Sequence, residues 1–471
     1  MRGVMVLMLL GLLIANAFAY RQPPRLASTE YSAMSCRKHS ASIVDYGGVG
    51  DGKTLNTNAF KKAIADLRKH SADSGAQLII PPGKWLTGSI NLTSHFTLYL
   101  EKDATILASQ NEEDFPLLPT LPSYGRGRDA SGDGLRYSSF IFGTNLTDVI
   151  ITGANGTIDG QGKVWWDKYH KDKLKYTRPT LIEIMYSNQI QISNITLLNS
   201  PQWNVHPVYS SDILIQGVTI LAPIDPISPN TDGINPDSCS NVRIEDCFIV
   251  SGDDCISLKS GWDEYGIQVG MPTQHVVIRR ITCISPDSAL IALGSEMSGG
   301  IQDVRAEDIT AINTESGIRI KTAVGRGGYI KDIYARNFTL NTMKYVFWMT
   351  GGYGSHPDNG YDPKALPVVD NINYNEFRAE NVTMSANLAG IDKDPFTGIC
   401  ISNVGIQLSE HPKKLQWNCT DIKGTTSGVT PTPCDDLPDK GVGNSFSCPF
   451  PTDKLPIEEV QLKTCSYQSR E

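Results

Sequence analysis

The chain has 471 residues, 40% of them hydrophobic, which supplies enough apolar surface for a buried core and excludes a disordered chain. Its 42 basic and 50 acidic side chains leave a net charge of -8. That balance excludes a general nucleic-acid binder, and a polyanionic partner would have to be drawn by a local basic cleft.

The N-terminus comes first. Arg2, the apolar run Val4 to Ile14 and the triplet Ala17-Phe18-Ala19 predict a signal peptide over residues 1–19. The run is shorter than the ~20 residues of a comfortable membrane span. No later stretch is long and apolar enough, so a secreted protein is expected, with no membrane partner once the signal is removed. The 10 cysteines suit an oxidising compartment and hold no CxxC pair of the zinc type. Sequons at Asn91, Asn145, Asn155, Asn194, Asn337, Asn381 and Asn418 mark a candidate glycoprotein.

Residues 20–40 are polar and proline-containing and read as a flexible leader. Ala59, Phe60, Ala63, Ile64 and Leu67 then fall at helical spacing behind a capping Thr or Asn. Gln77 to Ile80 reads as a short buried strand that ends in a Pro-Pro-Gly turn. From about residue 145 a repeat takes over: apolar-x-apolar-x-x-apolar. It runs Ile190, Ile192, Ile195, then Ile213, Ile215, Val218, and continues to Phe377, Ala379, Val382 and Ile399, Ile401, Val404. Irregular spacing of strand-forming units marks a solenoid rather than a propeller or sandwich. The fold class expected is therefore all-β, a parallel β-helix over residues 41–423. The helix before residue 67 would cover its open first coil. Residues 424–471, rich in Thr, Pro, Gly and Ser, read as a loop-rich tail tied by disulfides.

Aligning consecutive coils on the repeat places Asp232-Gly-Ile234-Asn235 over Asp254-Cys-Ile256-Ser257. Ala289-Leu-Ile291-Ala292 and Ser316-Gly-Ile318-Arg319 follow. The isoleucines point inward and the residues one step either side outward. Asp232 and Asp254 become neighbours on adjacent coils, and a bend at Gly252 brings Asp253 in beside them. Three close carboxylates raise one another's pKa, which separates a protonated acid from an ionised base. Glycoside hydrolysis needs that division. Asp253 is expected as the acid, with Asp232 and Asp254 holding water. Arg319 and Lys321 would face out from a nearby coil, with Lys259 two coils earlier in the Lys321 column. Such a basic strip suits substrate carboxylates. A calcium site is the rival reading of clustered aspartates.

Asn230-Thr231-Asp232, Gly252-Asp253-Asp254 and Arg319-Ile320-Lys321 together resemble the polygalacturonases, glycoside hydrolase family 28. The similarity covers roughly residues 41 to 420. It implies a right-handed parallel β-helix and inverting hydrolysis of α-1,4-galacturonosyl linkages in pectin, with no cofactor and no metal. It also implies Asp253 as proton donor, Asp232 and Asp254 as water activators, and Asn230, Arg319 and Lys321 within the site. The pectic polysaccharide is the partner expected, with the protein acting as a monomer in the cell wall. The family's Gly-His-Gly histidine is missing: Ala289 stands in its place. The segment Ala292 to Gly300 instead looks like the plant polygalacturonase-like and exo-acting branch, as does Ser200 to Pro207. His206 aligns with Asn235 and is expected to face the same cleft as a substrate-binding group or a stand-in for that histidine. The segment Gly261 to Gln274 is expected to wall off one end of the cleft and favour attack from a chain end. Cys255 and Cys283, one coil apart, are a candidate bridge, with Cys239 and Cys247 a second. The alternatives are hydrolysis of rhamnogalacturonan or xylogalacturonan, a calcium-dependent lyase, and a non-catalytic pectin-binding wall protein.

Overall fold

The computed structural model describes residues 37–127, 132–441 and 446–462. The expected signal peptide and most of the leader lie outside the described residues, as do Cys36 and Cys465. The end of the leader is not irregular: His39–Ser42 pairs in parallel with Ala76–Ile80.

The repeat builds a right-handed parallel β-helix, the hand that parallel crossovers adopt. Ile190 stacks on Ile213, then Val242, Val276, Val304 and Ile333, each one coil further along. These side chains are buried in one continuous core, and each contributes about 1.5–3 kcal/mol by leaving water. The x-x gap of the repeat is a bend. The residue before the last apolar position adopts a left-handed backbone in coil after coil, with φ of 51° at Asn194, 65° at Gly217, 56° at Asp246 and 57° at Asp308. Asn, Asp and Gly tolerate that region best, which is why the repeat carries them.

One rung differs from the expected register. Ile333, Ala335 and Phe338 pair with Ile372, Tyr374 and Phe377, not with Phe377, Ala379 and Val382. The cause is a second bend: Asn381, with φ 55°, sits before Val382 and repeats the pattern one corner further on. The strand Ile422–Thr430 also crosses the expected boundary at residue 424.

The capping helix spans Thr57–Leu67 and buries Ala59, Phe60, Ala63, Ile64 and Leu67, as the periodicity predicts. Asn56 precedes it without capping it. Its side chain accepts from the Val49 N–H and donates to the carbonyls of Val49, Thr54 and Leu86. The Asn therefore ties the turn-rich entry to the first coil.

Disulfides join Cys255 to Cys283, Cys400 to Cys448 and Cys419 to Cys434. The first was expected. Cys239 and Cys247 are free and buried instead. They flank the strand Ser240–Glu245, whose six residues hold them roughly 20 Å apart, against about 4–7 Å between the Cα atoms of a disulfide. Beyond Cys448 the tail runs back along the flank of the helix. Arg305 donates to the Asp453 carbonyl at 2.8 Å and Arg243 to the Ile457 carbonyl at 2.7 Å. Leu455, Ile457 and Val460 pack there on Leu214 and Val277.

Candidate active site

The site lies on the face built from short strands: Ile182–Met185, Val205–Val208, Ile256–Leu258 and Ala289–Leu293, followed by the far end of Ile301–Lys321. Val205 pairs with Ile234, Ile234 with Ile256, Ile256 with Ile291 and Ile291 with Ile318. The coil alignment is therefore as expected. One detail of the pleat is corrected. Cys255 and Leu290, one step before the isoleucines, also enter the core. Two successive inward residues break the alternation, and that break turns Asp254 outward.

One oxygen from each of Asp232, Asp253 and Asp254 lies within 4.8 Å of the other two. Asp232 and Asp254 are 3% and 1% exposed, and Asp253 is half-buried. Asp254 is fully partnered. Lys321 Nζ donates to its Oδ2 at 2.6 Å, and Ser288 Oγ and the Ala289 N–H lie 2.6 and 3.1 Å from its Oδ1. Asn235 Nδ2 donates to Asp232 Oδ2 at 3.1 Å, and Lys259 Nζ stands 3.8 Å from the same oxygen. Asn230 Nδ2 reaches Asp253 Oδ2 at 3.3 Å, while its Oδ1 accepts from Arg178 at 2.7 Å.

These surroundings divide the carboxylates. Burial, reinforced by the charge of Asp253, pushes the Asp232 carboxyl up to about 8. Burial also works to raise Asp254, but the Lys321 ammonium beside it outweighs that effect and holds the group below its ordinary value. Asp254 is thus held as the anion, and Asp232 is the carboxyl whose surroundings favour a proton. Oxygens this close can coordinate a hard cation. Here Lys321 and Lys259 already supply the positive charge that the cluster needs.

The basic strip is only partly as expected. Lys321 and Lys259 face outward but are 6% and 4% exposed. Lys321 is committed to Asp254, and Lys259 holds Glu296 at 3.1 Å while lying 4.7 Å from the centre of the Trp203 ring. Arg319 is different. Its guanidinium stacks 3.6 Å from the centre of the Trp348 ring, makes one 3.3 Å bond to Glu315, and leaves Nε without a partner. It has donors to spare for a substrate carboxylate.

His206 does not line the open cleft. It is 1% exposed, with Nδ1 3.0 Å from Glu183 and Nε2 3.2 Å from Asp237. Burial disfavours its charge, but these two carboxylates carry the imidazole above its ordinary value. It cannot stand in for a histidine over the carboxylate cluster, because both ring nitrogens are spent one coil away. Its cover is Arg136, which binds Glu183 at 2.8 Å, and Tyr124, which donates to Asp237 at 2.5 Å.

The segment Gly261 to Gln274, expected as the wall, holds the helix Asp263–Val269 and is tied down on several sides. Trp262 packs edge-on against Tyr124 and donates to the Ser355 carbonyl, Tyr265 donates to Asp358, and Arg326 binds Asp263. Leu121, Tyr124, Gly127 and Arg136 lie over the outward face beyond Asp232, in an excursion that the coil spacing does not flag. A cavity under them is lined by Arg178, Gln202, Trp203 and His206.

Ser288, Glu296, Arg178 and Trp348 were not anticipated. Trp348 was within reach of the sequence, since it follows Arg319 in register one coil on. Arg178 carries no local signal, because it reaches Asn230 across a loop.

Three convergent carboxylates on the outer face of a β-helix, one held ionised beside one that favours its proton, suit the acid–base hydrolysis of glycosidic bonds. Residues 76–430 match Glycosyl hydrolases family 28. The chain belongs to that family and is a glycoside hydrolase of the polygalacturonase type. It is 68% identical over 442 residues to a "Probable polygalacturonase" of Vitis vinifera, covering 94% of this chain and 89% of that one. It is 28% identical to an "Exopolygalacturonase" of Zea mays, over 83% of this chain and 88% of that one. Among solved structures, the exopolygalacturonase of Thermotoga maritima shares the fold with a TM-score of 0.68 and 24% identity, over 84% of this chain and 88% of that one. The family 28 exopolygalacturonase of Yersinia enterocolitica does so with 0.70 and 20%, over 83% and 79%.

Proposed function

We propose that the enzyme hydrolyses α-1,4-galacturonosyl linkages of pectin with inversion, working from a chain end. The observation that carries this is the 2.6 Å Asp254–Lys321 ion pair beside the Asp232–Asp253 pair. It keeps Asp254 ionised as a base, while burial favours a proton on Asp232. Asp253, the most exposed of the three, delivers a proton to the leaving oxygen and is resupplied from Asp232, whose protonated carboxyl also holds the attacking water, while Asp254 takes that water's proton. Arg319, stacked on Trp348 and bonded once to Glu315, supplies the guanidinium for a uronate. Chain-end attack is supported by Tyr124 and Arg136, which cover Asp237, Glu183 and the buried His206 one coil beyond Asp232. It is supported further by the likeness to proteins named exopolygalacturonase. Secretion is supported by the disulfides and by the leader expected at residues 1–19. Among the described residues no helix is long and apolar enough to cross a membrane.

Products decide the reading. Purified enzyme given long polygalacturonate should release monomer from the first minutes, initially as the inverted anomer by proton NMR. An early ladder of medium oligomers would overturn chain-end action, and faster release from rhamnogalacturonan or xylogalacturonan would move the substrate.

A pH profile tests the proton inventory. Asp232 loses its proton as pH rises through about 8, so kcat/KM should fall on an alkaline limb there. The acid limb should lie below the ordinary carboxylate range, where Asp254 becomes protonated. Stability follows the same sign. A carboxyl raised on folding contributes stability that is fully present below its unfolded value of 3.8 and lost as pH rises through about 8. Asp232→Asn should therefore lose less stability than the parent between about pH 5 and pH 9, read by denaturant midpoints.

A further inference from the structure

Ser288 stands between the two carboxylates whose protonation states must differ. Its Oγ lies 3.0 Å from Asp253 Oδ1 and 2.6 Å from Asp254 Oδ1. A hydroxyl has one proton to donate and lone pairs to accept with. Both neighbours are carboxyl oxygens, so it can donate to only one of them. Lys321 at 2.6 Å makes Asp254 the anion, and a charged acceptor takes the stronger, shorter bond. The Ser288 proton therefore points to Asp254, and its lone pair faces Asp253 Oδ1. That contact is attractive only when Asp253 carries its proton there.

We propose that Ser288 is a positioning residue that keeps the acid proton on Asp253 opposite an ionised Asp254. The inference rests on the acid and base roles given above and deepens them. It also answers the vacancy that the sequence shows at Ala289. The rung is filled by the preceding hydroxyl and by the Ala289 N–H, which donates to Asp254 at 3.1 Å.

The surrounding groups fit this assignment. The Ser285 hydroxyl donates to the Asp253 carbonyl at 2.6 Å, and the Ser288 N–H donates to the Ser285 carbonyl at 3.3 Å. The turn that carries Ser288 is thereby pinned to the backbone of the residue it serves. Ser288 is 5% exposed, which keeps the bridge from exchanging with bulk water. The other groups facing the pair are Lys321 on Asp254, Asn230 on Asp253 Oδ2, and the Asp254 N–H, which donates to Asp253 Oδ1 at 2.8 Å. Asp232, with Lys259 behind it, completes the circle. Of these groups, only the Ser288 hydroxyl contacts Asp253 and Asp254 side chains at once. Asp232 competes with Asp253 for one proton, and the hydroxyl biases that competition toward the carboxyl nearer the cleft.

The test uses Ser288→Ala and Ser288→Thr in the full-length enzyme, with Asp253→Asn beside them. Ser288→Ala should lower kcat about tenfold, the loss of one hydrogen bond to a charged or proton-sharing pair, with KM held within about twofold. Its alkaline limb should move to lower pH, because the acid carboxyl has lost the hydroxyl that faces it. Ser288→Thr keeps the hydroxyl and should restore both. A Ser288→Ala enzyme with the parent's kcat and pH profile overturns the proposal, provided that Asp253→Asn is inactive. So does a kcat loss with an unmoved alkaline limb, which marks a purely structural serine. If Ser288→Ala does not fold, Ser288→Thr decides: a profile unlike the parent's overturns the proposal and a matching one supports it. Activity retained in Asp253→Asn would instead remove the acid assignment itself.

Discussion

Asp253→Asn is expected to lower kcat/KM by about 10²–10⁴-fold, the usual contribution of a positioned general acid, while leaving the fold intact. The physical case is one of access and charge. Of the three carboxylates only Asp253 is half-exposed, so only it can meet a glycosidic oxygen lying in the cleft. Asn preserves the shape and can still accept from the Asp254 N–H and face Asn230 and Ser288, whose contacts with Asp253 run from 2.8 to 3.3 Å. What it cannot do is yield a proton. Reducing-sugar release, measured beside circular dichroism of parent and variant, reads both halves. Equal release by the two would place the acid elsewhere.

Lys321→Met is expected to fail in two ways. It leaves Asp254 buried without its cation, which for a buried pair typically costs about 3–5 kcal/mol. The denaturant midpoint should fall accordingly. The sign with pH is fixed by the direction of the Asp254 shift. A carboxylate held below its ordinary value contributes stability that is present above the unfolded value of 3.8 and lost as pH falls through the lower folded value. The stability gap between parent and variant should therefore be full near neutrality and close in acid. The second failure is catalytic. Without the ammonium, burial raises the Asp254 carboxyl, the base takes up a proton, and the acid limb of the rate profile should move upward. A variant with the parent's midpoint and an unmoved acid limb would show that the 2.6 Å contact is not the source of the ionised base.

Much of this was legible in the chain. A β-helix repeats its interior every coil, so apolar spacing alone identifies the stacked rungs, and the bends between them favour Asn, Asp or Gly, with Arg280 and Glu376 as exceptions. The helix Thr57–Leu67 is equally local, since its five buried residues follow one amphipathic stripe. The slip at Phe377 has the opposite cause. Asn381 makes a second bend of the same kind, and a local pattern cannot tell which corner of the coil it occupies.

The candidate site divides along the same line. Sequence alone determined that Asp232 and Asp254 sit on adjacent rungs with the Arg319–Lys321 strand further along, because the spacing of the isoleucines carries the register. Only the tertiary structure decided what each group does there. Lys321 and Lys259 look like substrate cations until burial pairs them with Asp254, Asp232 and Glu296. His206 looks like a cleft residue until Tyr124 and Arg136, arriving from more than 60 residues earlier, cover the carboxylates that hold it. Ser288 has no motif at all, and its role comes from being within 3.0 Å of two carboxylates on the preceding coil. Pairing, cover and proton placement depend on distances between coils and on loops whose paths no repeat constrains. The spacing of a solenoid specifies its rungs, but the charge state of a group on a rung is set by whatever folds against it.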